Sequence, residues 1–231
     1  IDYSSLNYKD AMILKDGGRI VRKFPFIPGI DFSGKVVESE DERFKKNENV
    51  ICTGFRVGEM YYGGFSQYAK VDSNFLIKTP KNLDNKKSMM LGTAGFTALL
   101  CSFAVKAKEE LLLGAKVKDV LVTGATGGVG SIAIMVLSKM GYDVHAVTGK
   151  KDKTEYLKSL GAKNIIDRKE FEGESKLLEK GLWDGVVDTV GGTALTKIFA
   201  QTKPGGIVAA CGNAGGIKIN TTVMPFIIRG V

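Results

Sequence analysis

The sequence predicts an α/β fold in which a doubly wound parallel sheet follows a β-rich domain. Three observations predict it. Strand-like and helix-like runs alternate from about Leu91 to the run ending at Gly212, as in βαβ units with right-handed crossovers. The strand runs are almost continuously apolar, as in sheets covered by helices on both faces. One of them runs straight into a cluster of glycines, "DVLVTGATGGVGSIA", at a strand-to-helix junction. The predicted division is 1–90 and 91–231.

Within 1–90, "GIDFSGKVVES" and "FSQYAKV" combine β-branched and aromatic residues between turn signals and read as strands, as does "ENVICTG". "DERFKKNEN" is a charged hairpin or loop, and the prolines of "PFIPGIDFSG" make a fixed turn feeding a strand. "SMMLGTAGFTALLCSFAVKA" has small and apolar residues at helical spacing and reads as a buried helix. The alternation then begins: "DVLVTG" strand, "GVGSIAIMVLSKMG" helix, "DVHAVTG" strand. "DKTEYLKSLG" reads as a short helix with Asp152 as N-cap, Glu155 three residues on, and Gly161 as its stop. "NIID" is strand, "ESKLLEKG" helix and "GVVDTVG" strand. "TALTKIFAQTK" is a helix stopped by Pro204-Gly205-Gly206, and "GIVAACG" is the closing strand.

Composition narrows the class. Hydrophobic content of 44% and charged content of 25% are those of a globular protein. No run approaches the roughly 18 apolar residues of a membrane span, and "IDYSSLNYKD" lacks the pattern of a signal peptide. Cys52, Cys101 and Cys211 are far apart and form no CxxC pair, which fits a reducing cytosol and core thiols rather than nucleophiles. With His145 as the one histidine, a zinc site is not expected; on a strand interior, His145 reads as structural. The charge of +8 is either a solvated lysine surface or a field that attracts anionic small molecules. The lysines are dispersed and no recognition-helix or RNP-like pattern accompanies them, so nucleic acid is not an expected partner.

Gly124, Gly127, Gly128 and Gly130 point to a phosphate. Without Cβ atoms, a pyrophosphate can approach the backbone, and the free amides of the helix starting near Gly128 stabilise its charge. Gly130 lets that helix pack against the preceding strand. Thr126 and Val129 belong to the same turn. An NAD-preferring site places an acid about 20 residues on, to hold the ribose 2′-hydroxyl. Here that place reads Thr148-Gly149-Lys150-Lys151, with no acid before Asp152. Ammonium groups and a hydroxyl suit a 2′-phosphate, so the expected cofactor is NADP(H), with Arg168 after the third strand adding a guanidinium. The plain alternative is a turn with exposed lysines.

On "SSLNYKD", "PGIDFSG", "GTAGFTA", "VLVTGATGGVGSIA", "WDGVVDTVGG" and "TTVMPFI", the chain resembles the zinc-free medium-chain dehydrogenases/reductases. The likeness is to their quinone oxidoreductase branch, the YhdH/YhfP type that includes acrylyl-CoA reductases. The resemblance implies an N-terminal GroES-like β-domain, a Rossmann NADP-binding domain and a substrate cleft between them. Family members begin earlier and continue past Val231, so it also implies that both domains are truncated here. It implies a homodimer when full length, acting on a small molecule; the sparse cysteines place it in the cytoplasm, and no membrane or nucleic-acid partner is expected. Where zinc-dependent relatives carry a cysteine ligand this chain has Asn7, and Ile30-Asp31 replaces their His-Glu pair, so no metal is expected.

Without a Lewis acid to stabilise an alkoxide, reduction of an activated C=C bond or a quinone suits the residues better than alcohol oxidation. The enolate or phenolate oxygen then needs hydrogen-bond donors, and a proton must arrive. Asn7 can orient a carbonyl or carboxamide. Tyr8 contacts the nicotinamide by resemblance and is a candidate proton donor; otherwise it is a buried aromatic. Asp10 either orients Lys9 or caps a helix opening at Ala11. Asp31 either organises the wall of the site or is a surface aspartate. Thr93 faces the nicotinamide by resemblance, or back-bonds within its helix. Asn213 follows a strand, at the carboxyl edge where open α/β sheets bind ligands. Ile227, by resemblance, matches a position lining the nicotinamide pocket in relatives, or is a core isoleucine. An enoyl-CoA thioester ranks first as substrate and a quinone second; a non-catalytic NADPH-binding sensor or scaffold is the reading from another class.

Overall fold

The computed structural model describes residues 1–16, 20–111 and 116–231. It divides into two compact units, Ile1–Phe96 and Thr97–Val231.

In the first unit, β1 (Tyr3–Ser4), β2 (Asp31–Lys35), β3 (Asn49–Thr53) and β4 (Leu76–Lys78) form an antiparallel sheet in sequence order. Phe32 opposes Cys52 across β2 and β3, and both pack with Val57 and Phe75. The expected strand over 65–71 does not form. Its Ala69 and Val71 still reach the core. The chain ahead of them, however, gives the amides of Gly63, Gly64 and Phe65 to the carbonyls of Ile27, Gly29 and Pro28. Those bonds hold a turn, not a ladder. The helix α1 (Tyr8–Asp16) opens three residues before Ala11.

The helical run α2 (Asn85–Leu111) breaks at Gly92, whose φ of 50° and ψ of −153° are not helical. The helix expected at 88–107 is therefore present but kinked, and it is not buried all round. Ala98, Cys101 and Val105 enter the core, while Phe96, Leu99, Leu100 and Phe103 are exposed. Among the described residues, Asn85–Glu109 is the one helix long and apolar enough to cross a membrane by length and composition, where the sequence reading expected none. Part of that apolarity is used in core packing.

In the second unit, β5 (Asp119–Val122), β6 (Asp143–Thr148), β7 (Asn164–Asp167), β8 (Trp183–Asp188) and β9 (Thr202–Ala210) form a parallel sheet of order β7-β6-β5-β8-β9. The order reverses between β5 and β8, which makes the carboxyl ends of those strands a switch point. Successive residues alternate faces. Val120 and Val122 meet α3 (Gly128–Lys139) through Ala133, Ile134 and Leu137, while Leu121 packs with Trp183, Leu195 and Ile198 on the other face. Each fully buried Leu or Ile contributes about 1.5–3 kcal/mol. The remaining helices are α4 (Thr154–Ser159), α5 (Gly192–Gln201) and α6 (Met224–Arg229).

Three local expectations change. Asp152 is not an N-cap: a 3-10 turn takes Lys151–Lys153, α4 starts at Thr154, and Asp152 pairs with Lys153 at 3.3 Å. The helix expected at 174–181 is absent. With one exposed leucine, Leu177, the segment has too little apolar face to offset helix nucleation. Its backbone is held instead by Glu179 N–H on Ala200 O and by Arg229 on Glu179 O. Pro204-Gly205-Gly206 lies within β9, opposite a register irregularity between Trp183 and Gly185, and Trp183 opens β8 itself.

At the amino edge of this sheet, Lys203 Nζ lies 2.9 Å from both Asp119 and Asp184. Burial pushes Asp184 up, but the Asp119 amide, the Lys203 ammonium and the Lys118 amide together hold its carboxyl below the usual range. His145 bonds Asp119 at 3.2 Å and Asn164 at 3.2 Å, and tilts against Trp183.

Candidate active site

In the first unit, the site grows from α1 and the Gly92 break. Asp10 is the third helical residue, not a cap ahead of Ala11. Its Oδ2 accepts the Asn7 amide at 2.9 Å, and Oδ1 accepts the Ile30 amide at 3.0 Å. That is the return half of a capping box, and it ties the start of α1 to the residue before β2. Asp31 is fully buried, not a surface aspartate. It accepts Asn7 Nδ2 at 2.8 Å, Thr93 N at 2.8 Å and Thr93 Oγ1 at 2.6 Å.

Gly92 makes this arrangement possible. A Cβ there would lie 2.7 Å from Asp31 Oδ2 and 2.6 Å from Ser5 Oγ. The broken helix end thus delivers an amide and a hydroxyl to one carboxylate. Thr93 bonds Asp31, so it does not back-bond within its helix. Tyr8 is 59% exposed on α1 and is not a buried aromatic. The structure brings Asn7, Asp31 and Thr93 together.

In the second unit, the glycine turn connects β5 to α3. Gly127 N–H bonds Gly124 O at 2.8 Å, closing the turn. The N-cap of α3 is Gly127, and no side chain caps the helix. Its first amides therefore have no side-chain partner, and Gly127 and Gly128 are exposed. Thr126 and Val129 are half-buried beside them. A Cβ on Gly130 would lie 2.9 Å from Ala125 Cα and Gly124 C, and closer still to Gly124 O.

The end of β6 lies beside this turn, with the Ala125 amide on Val147 O at 3.2 Å. Thr148 Oγ1 accepts the Lys150 amide at 3.0 Å. Because Thr148 pairs with Asp167 of β7, Arg168 emerges beside it, and its side chain lies over Gly149. Lys150 is exposed and, among the described residues, makes no ion pair. Thr148, Gly149, Lys150 and Arg168 thus converge at one strand edge. Asn213 is exposed on the loop after β9, and Ile227 is 71% exposed on α6, not in a core.

Sequence reasoning missed the brace under the glycine turn. Fully buried Asp188 accepts Thr123 Oγ1 at 2.6 Å and Gly191 N–H at 2.8 Å, while Thr189 donates to Thr123 O at 3.0 Å. The available signal was an aspartate ending an apolar buried strand, which needs dedicated donors. Among the described residues there is no cluster of three or more His, Cys, Asp or Glu side chains able to hold a metal ion.

A sheet of this order, with an uncapped glycine-rich helix start at its switch point, defines a Rossmann-type dinucleotide-binding unit. Two family descriptions match the chain: "Alcohol dehydrogenase GroES-like domain" over residues 1–81 and "Zinc-binding dehydrogenase" over residues 128–231. The probable acrylyl-CoA reductase AcuI of Escherichia coli K12 is 51% identical over all of this chain and 70% of its own length. The putative quinone oxidoreductase YhfP of Bacillus subtilis is 47% identical over all of this chain and 69% of its own length. The yhdH oxidoreductase of Salmonella enterica, solved in complex with NADP, superposes with a TM-score of 0.92 at 50% identity, covering 98% of this chain and 69% of that one. Bacillus subtilis yhfP, solved with NAD bound, superposes with a TM-score of 0.89 at 46% identity, covering 98% and 68%. The chain belongs to the medium-chain dehydrogenase/reductase family, in its acrylyl-CoA reductase and YhdH/YhfP quinone oxidoreductase group.

Proposed function

We propose that the chain is an NADPH-dependent reductase of an activated C=C bond, with an acrylyl-CoA-like enoyl thioester as its foremost substrate. The observation that carries the cofactor choice is the convergence of Thr148, Lys150 and Arg168 at the ends of β6 and β7, with Thr148-Gly149-Lys150 rather than an acid where β6 ends. The substrate class rests on the likeness to AcuI. In this reading, residues 1–90 are the catalytic and substrate part and 91–231 the NADP-binding part.

When bound, NADP(H) supplies the hydride. The first amides of α3, with Gly124, Thr126, Gly127, Gly128, Val129 and Gly130, hold the pyrophosphate. Thr148, Gly149, Lys150 and Arg168 hold the 2′-phosphate, and Asn213 and Ile227 line the nicotinamide end. Asp31 accepts a hydrogen bond from the Asn7 side-chain amide and so orients its carbonyl and remaining N–H toward a substrate or carboxamide. The exposed hydroxyl-bearing ring of Tyr8 is the proton donor. Thr93, held to Asp31 through both backbone and side chain, keeps that carboxylate in place.

Stopped-flow loss of NADPH absorbance, with full-length protein, tests the reading. Turnover of acryloyl-CoA at a higher kcat/KM than benzoquinone supports the enoyl thioester. The reverse order favours the quinone reading, which the likeness to YhfP supports. Tight NADPH binding without turnover of either makes the protein a sensor. The resemblance also supports a cytoplasmic homodimer of the full-length protein, which light scattering on that polypeptide tests.

A further inference from the structure

One buried carboxylate lies under the glycine turn, and the packing of the sheet alone does not call for it there. Asp188 ends β8 after Val186 and Val187, and all three are fully buried. An apolar side chain in that place would cost less, because a buried charge without a cation has only its hydrogen bonds to offset desolvation. Lys108 pairs with Asp184, and Lys203 with Asp119 and Asp184. Among the described residues, these ion pairs leave Asp188 without a cation.

The two oxygens of Asp188 go to different segments. Oδ1 accepts the Thr123 hydroxyl at 2.6 Å, and Oδ2 accepts the Gly191 amide at 2.8 Å. Thr123 stands between β5 and Gly124, and each of its polar atoms is engaged. Its amide donates to Val187 O at 3.0 Å, its hydroxyl oxygen accepts the Thr189 amide at 2.9 Å, and its carbonyl accepts the Thr189 hydroxyl at 3.0 Å. The next residue, Gly124, has a φ of 56° and opens the turn. A side chain there would collide with Thr189 Oγ1. The far side of the brace is anchored as well, by Cys211 N–H on Asp188 O at 2.8 Å and Gly215 N–H on Val190 O at 2.8 Å.

We propose that Asp188 is a positioning residue for the dinucleotide. Through Thr123 it holds the turn 124–127 in the one arrangement whose amides, with those opening α3, receive a pyrophosphate. Asp188 touches no ligand itself. The inference rests on the proposed dinucleotide reading and adds to it a residue beneath the site.

The physical reason is preorganisation. Packing fixes the volume at a buried position, whereas charge-assisted hydrogen bonds to two segments fix their direction and spacing. With the brace cut, the turn populates other arrangements. The apparent dissociation constant then rises by the inverse of the fraction that remains competent.

The test uses the full-length protein and three variants. Asp188→Asn keeps the volume but leaves one acceptor oxygen where two are in use, and Thr123→Val keeps the shape but removes the hydroxyl. The third variant combines them. Each single change is expected to raise the NADPH dissociation constant about fivefold or more, a competent fraction of about one fifth or less. The NADH constant is expected to rise by a similar factor, since both cofactors carry the pyrophosphate. Adenosine 2′-monophosphate, which lacks it, is expected to bind the variants as it binds the parent. The double variant is expected to bind NADPH no more weakly than the weaker single variant, because both changes cut one brace. Losses that multiply in the double variant would overturn the proposal. So would an equal loss for adenosine 2′-monophosphate, which marks general loosening of the unit. Parent-like NADPH affinity in both single variants overturns the brace and leaves the cofactor reading standing. A parent that binds no NADPH overturns the cofactor reading, and the brace with it. Thr123→Val carries the test by itself where Asp188→Asn does not fold.

Discussion

Replacing Gly130 by alanine sets two physical effects against each other. Helix propensity alone favours alanine over glycine inside a helix by about 1 kcal/mol. Packing opposes it. The new methyl would stand 2.9 Å from Ala125 Cα and Gly124 C, and closer to Gly124 O, against an ordinary carbon contact of about 3.5 Å. All of these neighbours are backbone atoms of the turn, so none can rotate away. Overpacking of this kind costs about 1–3 kcal/mol or more. Because the clash is with main chain, we take the upper part of that range, which leaves a net destabilisation of about 1–2 kcal/mol. For a chain of this size that is a fall in melting temperature of roughly 2–8 °C. The relief comes from moving the start of α3 off the turn, so NADPH affinity should also fall, by about tenfold. Urea denaturation followed by circular dichroism gives the first quantity and fluorescence titration with NADPH the second. A variant as stable as the parent or more stable would show that propensity wins, and that the tight approach of α3 to the turn is not a constraint.

Lys150→Asp is expected to raise the NADPH dissociation constant about tenfold or more, roughly 1.4 kcal/mol, while sparing NADH; equal losses for both cofactors would contradict the 2′-phosphate assignment. Tyr8→Phe is expected to lower kcat more than cofactor affinity, and an unchanged rate would remove its role as donor. Lys203→Met removes the ammonium shared by Asp119 and Asp184, and is expected to destabilise by about 1–3 kcal/mol at pH 7. The folded carboxylates of Asp119 and Asp184 titrate below their unfolded value, so their contribution is present above about pH 4 and is lost as pH falls through the folded values. The gap between parent and variant should therefore narrow on acidification below pH 4. A gap independent of pH in urea melts would show that Lys203 acts through packing alone.

The second unit was the more legible half. Its five strands carry local signals: apolar runs, a glycine turn at a strand–helix junction, and lysines where an acid would otherwise stand. Parallel strands buried on both faces leave little choice of pattern, and a phosphate-binding turn needs its glycines in a fixed spacing. The failures there were short elements. Asp152 looked like a cap because a 3-10 turn and a helix start share the same residues, and 174–181 looked helical because propensity does not reveal that Arg229 and Ala200 supply its backbone partners. In the first unit, the strand expected at 65–71 failed for the same reason: its neighbouring amides bond to a loop distant in sequence.

The sequence by itself determined the order of the five parallel strands, the place of the glycine turn and the absence of an acid after β6, because each is written in residues adjacent along the chain. Tertiary structure alone decided that Asp31 is buried under Asn7 and Thr93, that Asp188 braces the turn beneath the glycines, and that Arg168 lies over Gly149. Each of these pairs groups that are far apart in the chain. Their energies come from removing a charge or a donor from water into a particular set of neighbours, and that set exists only once the chain has packed.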